Sequence, residues 1–182
     1  MELRAPPSSA PTLTTDRLRL RQLREGDLAG LATLWAHHEV TRFIGGQPLN
    51  RETTWRKALA ASGLWAIIGY GYWIAERRSD NRLVGHLGFA DFKRDMSPTI
   101  EGEPELGYVF DPEVHGTGLA AEGCMAALEW ADATLSQPLF SAIISPENTP
   151  SIRLAEKLGF RREPDAVYGG EPIGLFRRPR RA

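Results

Sequence analysis

The chain has 182 residues, enough for one domain with a sizeable core and too short for two comfortable ones. Its 22 Lys and Arg against 23 Asp and Glu leave a net charge of −1, which argues against general affinity for nucleic acid or an anionic membrane. One cysteine, Cys124, excludes an internal disulfide. No stretch reaches the roughly 18–20 apolar residues of a membrane span, so a soluble, cytoplasmic protein is expected.

Residues 1–11 hold three prolines and two serines and read as a flexible tail. "RLRLRQL" (17–23) alternates like a half-buried strand. Asp27 can cap a helix whose Leu28, Leu31, Ala32 and Trp35 share a face, and Asn50 can cap a second helix through "RETTWRKALAASGLW". Gly69 and Gly71 end that pattern. "YWIAER" and "RLVGHLGFADF" read as two strands around the turn "RSDN", and a fourth strand is expected near 105–110. "DPEVHGTGLAAEG" (111–123) then opens onto an amphipathic helix carrying Ala121, Cys124, Met125, Leu128, Ala131 and Leu135, with Glu122 and Glu129 outward. "LFSAII" (139–144) is a short apolar strand. Thr149 and Pro150 start a short helix that Gly159 ends. Two strand-like runs follow, near 160–168 and 171–177, and "FRRPRRA" closes the chain as a basic tail from 178. The order is strand, two helices, three strands, helix, strand, helix, two strands, a single mixed α/β domain over 12–177.

A strand, a glycine loop and a helix N-terminus in succession make an anion site, because unpaired N–H groups and the helix dipole favour negative charge and glycine lets a phosphate approach the backbone. The ATPase phosphate loop requires a Gly-Lys-Ser/Thr ending that is absent. The dinucleotide fingerprint belongs after a first strand, with an acid about 20 residues on, and Gly116-Thr117-Gly118-Leu119-Ala120-Ala121 imitates it loosely, late in the chain.

His115-Gly116-Thr117-Gly118-Leu119-Ala120 resembles the acyl-CoA pyrophosphate loop of the GNAT (GCN5-related N-acetyltransferase) superfamily, Arg/Gln-x-x-Gly-x-Gly/Ala, with His115 where Arg or Gln is usual. "SPENTPSIRLAEKLGF" (145–160) resembles the superfamily's next segment through Asn148, Ser151, Lys157, Leu158, Gly159 and Phe160. Thr15-Asp16-Arg17-Leu18 and "RLVGHLGF" resemble the RimJ/RimL-like branch of ribosomal-protein N-acetyltransferases. The resemblance covers about residues 12–177. It implies a central, mostly antiparallel seven-stranded sheet, splayed between its fourth and fifth strands and flanked by about four helices. It also implies transfer of the acetyl group of acetyl-CoA, a co-substrate, to a primary amine. The acceptor stays open between a protein N-terminus and a small-molecule amine, and a homodimer stays open as well.

Such a reaction needs a proton acceptor for the amine, N–H donors for the developing oxyanion and a proton for the departing thiolate. The resemblance places the pantetheine arm along Tyr108, Val109 and Phe110, the pyrophosphate on His115, Gly116, Thr117, Gly118, Leu119 and Ala120, and further cofactor contacts at Asn148 and Ser151. The helix position where many relatives carry the thiolate's tyrosine is Ala155 here, so Ser151 takes that role, against the plainer reading of a first-turn serine bonded to its own backbone. Glu105 is the preferred base, with Glu101, Glu103, His86, Glu171 or water as alternatives. "AHHEV" (36–40) lacks a third ligand at helical spacing, so no metal is expected, and Cys124 belongs to the core stripe. Trp35, Trp55, Trp65 and Trp73 could line an acceptor pocket or pack in the core, and "TRFIGGQPL" (41–49) is a reasonable acceptor loop.

Two readings from other classes remain. His115 and Ala155 would suit an acyl-CoA-binding sensor or partner module without turnover. The Arg177–Arg181 stretch would suit a nucleic-acid regulator, which the near-neutral charge opposes.

Overall fold

The computed structural model describes residues 8–164 and 166–181. The strands are β1 (Leu13–Thr14), β2 (Leu18–Arg21), β3 (Tyr72–Arg77), β4 (Arg82–Ala90), β5 (Met96–Ser97), β6 (Glu105–Phe110), β7 (Leu139–Ile144), β8 (Arg161–Arg162), β9 (Ala166–Tyr168) and β10 (Glu171–Pro179). The helices are α1 (Leu28–Ala36), α2 (His38–Thr41), α3 (Arg51–Ile68), α4 (Leu119–Thr134) and α5 (Thr149–Lys157). Seven strands run side by side in the order β1-β2-β3-β4-β6-β7-β10, and the short β8, β9 and β5 add to the β10 side. The pairs are antiparallel except β6–β7, which is parallel. This is the mixed α/β sheet expected above, with the run near 160–168 broken into β8 and β9.

The β6–β7 junction decides the architecture. β6 pairs with β4 along its whole length, from Ala90↔Glu105 to Gly85↔Phe110. On its other side it pairs with β7 only at Glu105↔Ser141, supported by Ser141 N–H donating to the Pro104 carbonyl at 3.1 Å. Beyond that point the two strands part, which leaves the β7-facing backbone groups of β6 without a strand partner.

Each face of the sheet is covered. Against one face, α4 and α5 bury a core containing Leu18, Leu87, Phe110, Leu128, Phe140 and Ala155. Trp65, Trp73 and Trp130 meet there edge to face, with centroids 4.7–5.3 Å apart. Gly123 lets α4 lie close on the sheet, since a Cβ there would stand 3.1 Å from Leu87 and 3.2 Å from Leu18. This contact rotates the helix relative to the expected stripe: Ala127 is buried, whereas Met125 is 47 % exposed. The other face packs α1 and α3 through Leu31, Leu34, Trp35 and Ala58 against Ile74 and Val109.

Because both faces are covered, β2 is not half-buried. Arg21 lies at 7 % exposure and pairs with Asp27 and Glu76, both at 2.8 Å. Asp27 also accepts from the Arg24 backbone N–H at 2.7 Å. The carboxylate therefore ties the turn before α1 to β2 rather than capping α1, and α1 is fixed over the sheet. The N-cap of α3 is Asn50, accepting from Thr53 N–H at 2.8 Å, as its sequence indicates. In α5 the cap is Asn148 rather than Thr149.

The described residues nearest each end are docked where the sequence reads as tails. Residues 1–7 and 182 lie outside the described residues, but Ala10 is buried and the Trp73 indole donates to the Pro11 carbonyl at 2.8 Å. Arg178 is buried within β10 and pairs with Asp132 at 2.7 Å. Arg180 donates to the carbonyls of Asp132 and Leu135 at 3.2 and 3.1 Å, at the C-terminal end of α4. The arginine-rich end is thus a clasp on α4, not a free basic tail.

Truncating Arg21 would leave two buried carboxylates facing each other. Arg21→Leu should cost about 3–5 kcal/mol in urea unfolding, whereas removing the more exposed Arg19, which also pairs with Glu76, should cost about 1 kcal/mol or less. Equal, small losses would contradict the role given to this network.

Candidate active site

The gap between β6 and β7 opens into a cleft of about 630 Å³ that reaches both sides of the sheet. On the α4/α5 side it is lined by Tyr108, Ser145, Asn148 and Ser151. On the α1/α3 side it is lined by Tyr72, His86, Glu105 and Val109 from the strands and by Trp35 and Lys57 from the helices. Phe43, Ile44, Phe92, Arg94 and Tyr168 stand on surrounding segments.

Strand alternation divides these roles. Leu106 and Phe110 join the core under α4, and Tyr108 packs against it, while Val109 packs under α1 and α3. The Tyr108 hydroxyl donates to the Ser151 carbonyl at 3.2 Å and bridges β6 to α5 across the gap. Asn148 Oδ1 accepts from Ser151 N–H at 3.3 Å. The Ser151 hydroxyl itself makes no hydrogen bond among the described residues, so the plain reading of a side chain bonded to its own helix does not hold.

Of the three β6 residues singled out in the sequence, Tyr108 and Val109 line the cleft and Phe110 does not. The Phe110 ring lies in the core and its carbonyl sits 3.0 Å from His115 Nε2. His115, although exposed, therefore reaches back to the end of β6 through Nε2. Gly116 and Gly118 hold φ of 75° and 84°, in the left-handed region. Gly118 is the N-cap of α4 and offers no side-chain cap, so the first amides of that helix are left facing outward. The loop from His115 through Gly116, Thr117, Gly118 and Leu119 to Ala120 follows the end of β6 that has parted from β7, and α5 begins just after the matching end of β7. Two helix N-termini thus flank the open end of the gap, which favours an anion there.

Glu122 was expected on the outer side of α4. It instead accepts from the Thr15 hydroxyl at 2.6 Å and from the Arg17 backbone N–H and Nε at 2.8 and 2.7 Å. Arg17 also donates to the Thr117 carbonyl at 2.9 Å. This gives the Thr15-Asp16-Arg17-Leu18 segment a physical purpose: it fixes the glycine loop and brings a guanidinium beside it.

The candidate bases separate clearly. Glu171 is exposed at the start of β10, Glu103 pairs with Arg177 at 2.8 Å and Glu101 with Lys93 at 3.2 Å, all outside the cleft lining. Glu105 is buried in the cleft wall, and each of its oxygens accepts from Arg94, at 2.6 and 2.9 Å. His86 is 4 % exposed beside Tyr72, and burial, then the charge of Lys57, pushes its pKa down to about 4. Burial, then the Glu105 charge, raises the Tyr72 phenol above its usual range. A Cβ at Gly107 would overlap the Tyr72 hydroxyl, so glycine at that point of β6 makes room for it.

Tyr72, Lys57 and Arg94 were not singled out in the sequence. Arg94 is separated from Glu105 by a loop without periodicity, and Tyr72 and Lys57 gain meaning only when the sheet and α3 come together. Among the tryptophans, Trp35 lines the cleft, Trp65 and Trp73 are core, and Trp55, on α3, packs partly buried against the α1/α3 core. From the 41–49 loop, Phe43 and Ile44 stand in the cleft wall. Cys124 is fully buried, and burial alone raises its thiol pKa. His37 separates α1 from α2, and His38 opens α2.

His86 gives a pH test. Below about pH 6.5 an unfolded histidine takes up a proton that the folded one refuses until about pH 4. Its contribution is therefore fully present above the unfolded pKa and lost as pH falls toward 4, by roughly 3 kcal/mol at most. His86→Gln should flatten the fall in unfolding free energy between pH 6.5 and 4; an unchanged slope would contradict a neutral buried imidazole.

Known proteins share this arrangement. The family described as the acetyltransferase (GNAT) domain matches residues 17–161. The uncharacterised N-acetyltransferase p20 of Bacillus licheniformis is 28% identical over 154 residues, covering 84% of this chain and 83% of that protein. An acetyltransferase of Agrobacterium tumefaciens superposes with a TM-score of 0.78 at 27% identity, over 93% of this chain and 95% of its own. The spermidine N-acetyltransferase of Vibrio cholerae, solved with CoA and spermine, shares the fold at 17% identity and a TM-score of 0.70, over 91% of this chain and 97% of its own. With the sheet, the parted strands and the glycine loop in place, the chain belongs to the acetyltransferase (GNAT) family.

Proposed function

We propose that the chain transfers the acetyl group of acetyl-CoA to a primary amine by direct attack, as a member of the RimJ/RimL-like branch. The observation that carries this reading is the parting of β6 from β7 after a single residue pair. The freed backbone groups of β6 suit the amides of a pantetheine arm, which would lie in the gap as an extended strand does. The amides at Gly116, Gly118, Leu119 and Ala120 suit the pyrophosphate, while that of Thr117 donates to the Val114 carbonyl within the loop, and the Arg17 guanidinium, paired with Glu122, stands beside them. The fit rests on the loop's own geometry: left-handed glycines and an uncapped helix start.

The amine nitrogen attacks the thioester carbonyl carbon, a C–N bond forms, and collapse of the tetrahedral adduct breaks the C–S bond. The amine gives up a proton, and CoA leaves with one as the thiol. We assign the thiol's proton to the Ser151 hydroxyl, which takes a proton from a water as it gives its own, and the amine's proton to Glu105, directly or through a water; Glu105 then returns it to solvent. Each Glu105 oxygen keeps acceptor capacity beyond its bond from Arg94, and the pair fixes the carboxylate in the cleft wall. Asn148 sets the start of α5 and hence the place of Ser151.

The test is release of CoA thiol from acetyl-CoA with a panel of primary amines. Amine-dependent release is expected, and Ser151→Ala should lower kcat about 10²-fold while acetyl-CoA affinity stays within a few-fold. Tight acetyl-CoA binding with no amine-dependent release would favour the non-catalytic acyl-CoA-binding module.

A further inference from the structure

We propose that the acceptor carries a carboxylate beside its amine and that Lys57 pairs with it, so that the acceptor class is small amino-acid-like amines rather than polyamines. The inference rests on the acetyl-transfer reading and extends it to the substrate.

Three charged side chains line the cleft: Lys57, Arg94 and Glu105. Arg94 and Glu105 satisfy each other through two hydrogen bonds, at 2.6 and 2.9 Å. Arg94 also donates to the Tyr168 hydroxyl at 3.0 Å and stacks on the Phe92 and Tyr168 rings at 5.2 and 5.0 Å. That cation is fully engaged. Lys57 is not. Its Nζ reaches in from α3 to stand 5.0 Å over the Trp35 ring, and no carboxylate lies within 4.0 Å of it among the described residues. Burial, then Arg94, lowers its ammonium pKa and the Glu105 charge raises it. The side chain is open to solvent on the cleft side and has no ion-pair partner among the described residues, so its charge is available to a ligand carboxylate. His86, held neutral, adds no opposing charge.

The cleft thus carries one positive charge in excess. That excess opposes a second ammonium on the acceptor and so disfavours polyamines. The aromatic walls at Trp35, Phe43 and Tyr168 suit an apolar side chain on the carbon that bears the amine and the carboxylate. About 630 Å³, shared with the acetyl end of the cofactor, suits a small molecule.

The experiment measures kcat/KM with acetyl-CoA for each of a set of α-amino acids against its carboxamide, with spermidine and an N-terminal peptide alongside. In parallel, the N-acetyl amino acids and their amides are titrated into the CoA-loaded protein. Wild type should prefer the carboxylate member by about tenfold or more in both readouts. Lys57→Met and Lys57→Gln should bring that ratio to about one, and Lys57→Arg should keep it. Equal or better use of the amides, spermidine or the peptide by wild type overturns the inference while leaving acetyl transfer standing, and so does an unchanged ratio in both neutral variants. Selective binding of N-acetyl amino acids with no turnover of any amine would sustain the Lys57 site and overturn the transfer reading instead.

Discussion

The site depends on one backbone constraint: β6 and β7 are neighbours in a parallel pair yet share a ladder for only a single residue, Glu105↔Ser141. A strand that is paired on one side and open on the other, inside a covered sheet, must find other partners for its amides and carbonyls. The cleft exists because of that unmet requirement. Tyr108 spans it to α5, and the N-termini of α4 and α5 stand at its open end.

The sheet then separates the chemistry into two chambers joined through the gap. Tyr108, Asn148 and Ser151 belong to the α4/α5 side, where the glycine loop begins. Tyr72, His86, Lys57 and the Arg94–Glu105 pair belong to the α1/α3 side. Strand alternation alone puts Glu105 and Tyr108 on opposite faces. An incoming thioester in the gap would therefore meet a hydroxyl from one face and the charged wall from the other. The buried Arg21 network supports the second chamber indirectly, because it holds the turn into α1 and so the position of Trp35.

Much of this was legible in the sequence where a local rule was strong enough. Asn50 capped its helix, the runs 72–77 and 82–92 around the turn "RSDN" read as two strands, and the glycines of 116–123 marked a loop opening onto a helix. Elsewhere long-range contacts won. Glu122 looked like a solvated helix charge because its partners, Thr15 and Arg17, lie more than 100 residues away in the chain. Met125 fell on the apolar period, but the close approach at Gly123 turned it outward. Arg178 and Arg180 read as a basic tail because Asp132 and the end of α4, which hold them, come together only in the fold. Lys57 and Arg94 sit on segments whose pattern says nothing of a cleft, and the electrostatic character of the acceptor side was hidden for that reason.

The most direct measurement is isothermal titration of acetyl-CoA into the wild-type protein and into Gly118→Trp, with the fold of the variant checked by circular dichroism. The account predicts that wild type binds and that the folded variant loses binding, because the bulky side chain stands where a phosphate must approach the loop backbone. Equal binding by both proteins, or no binding by wild type, would contradict it.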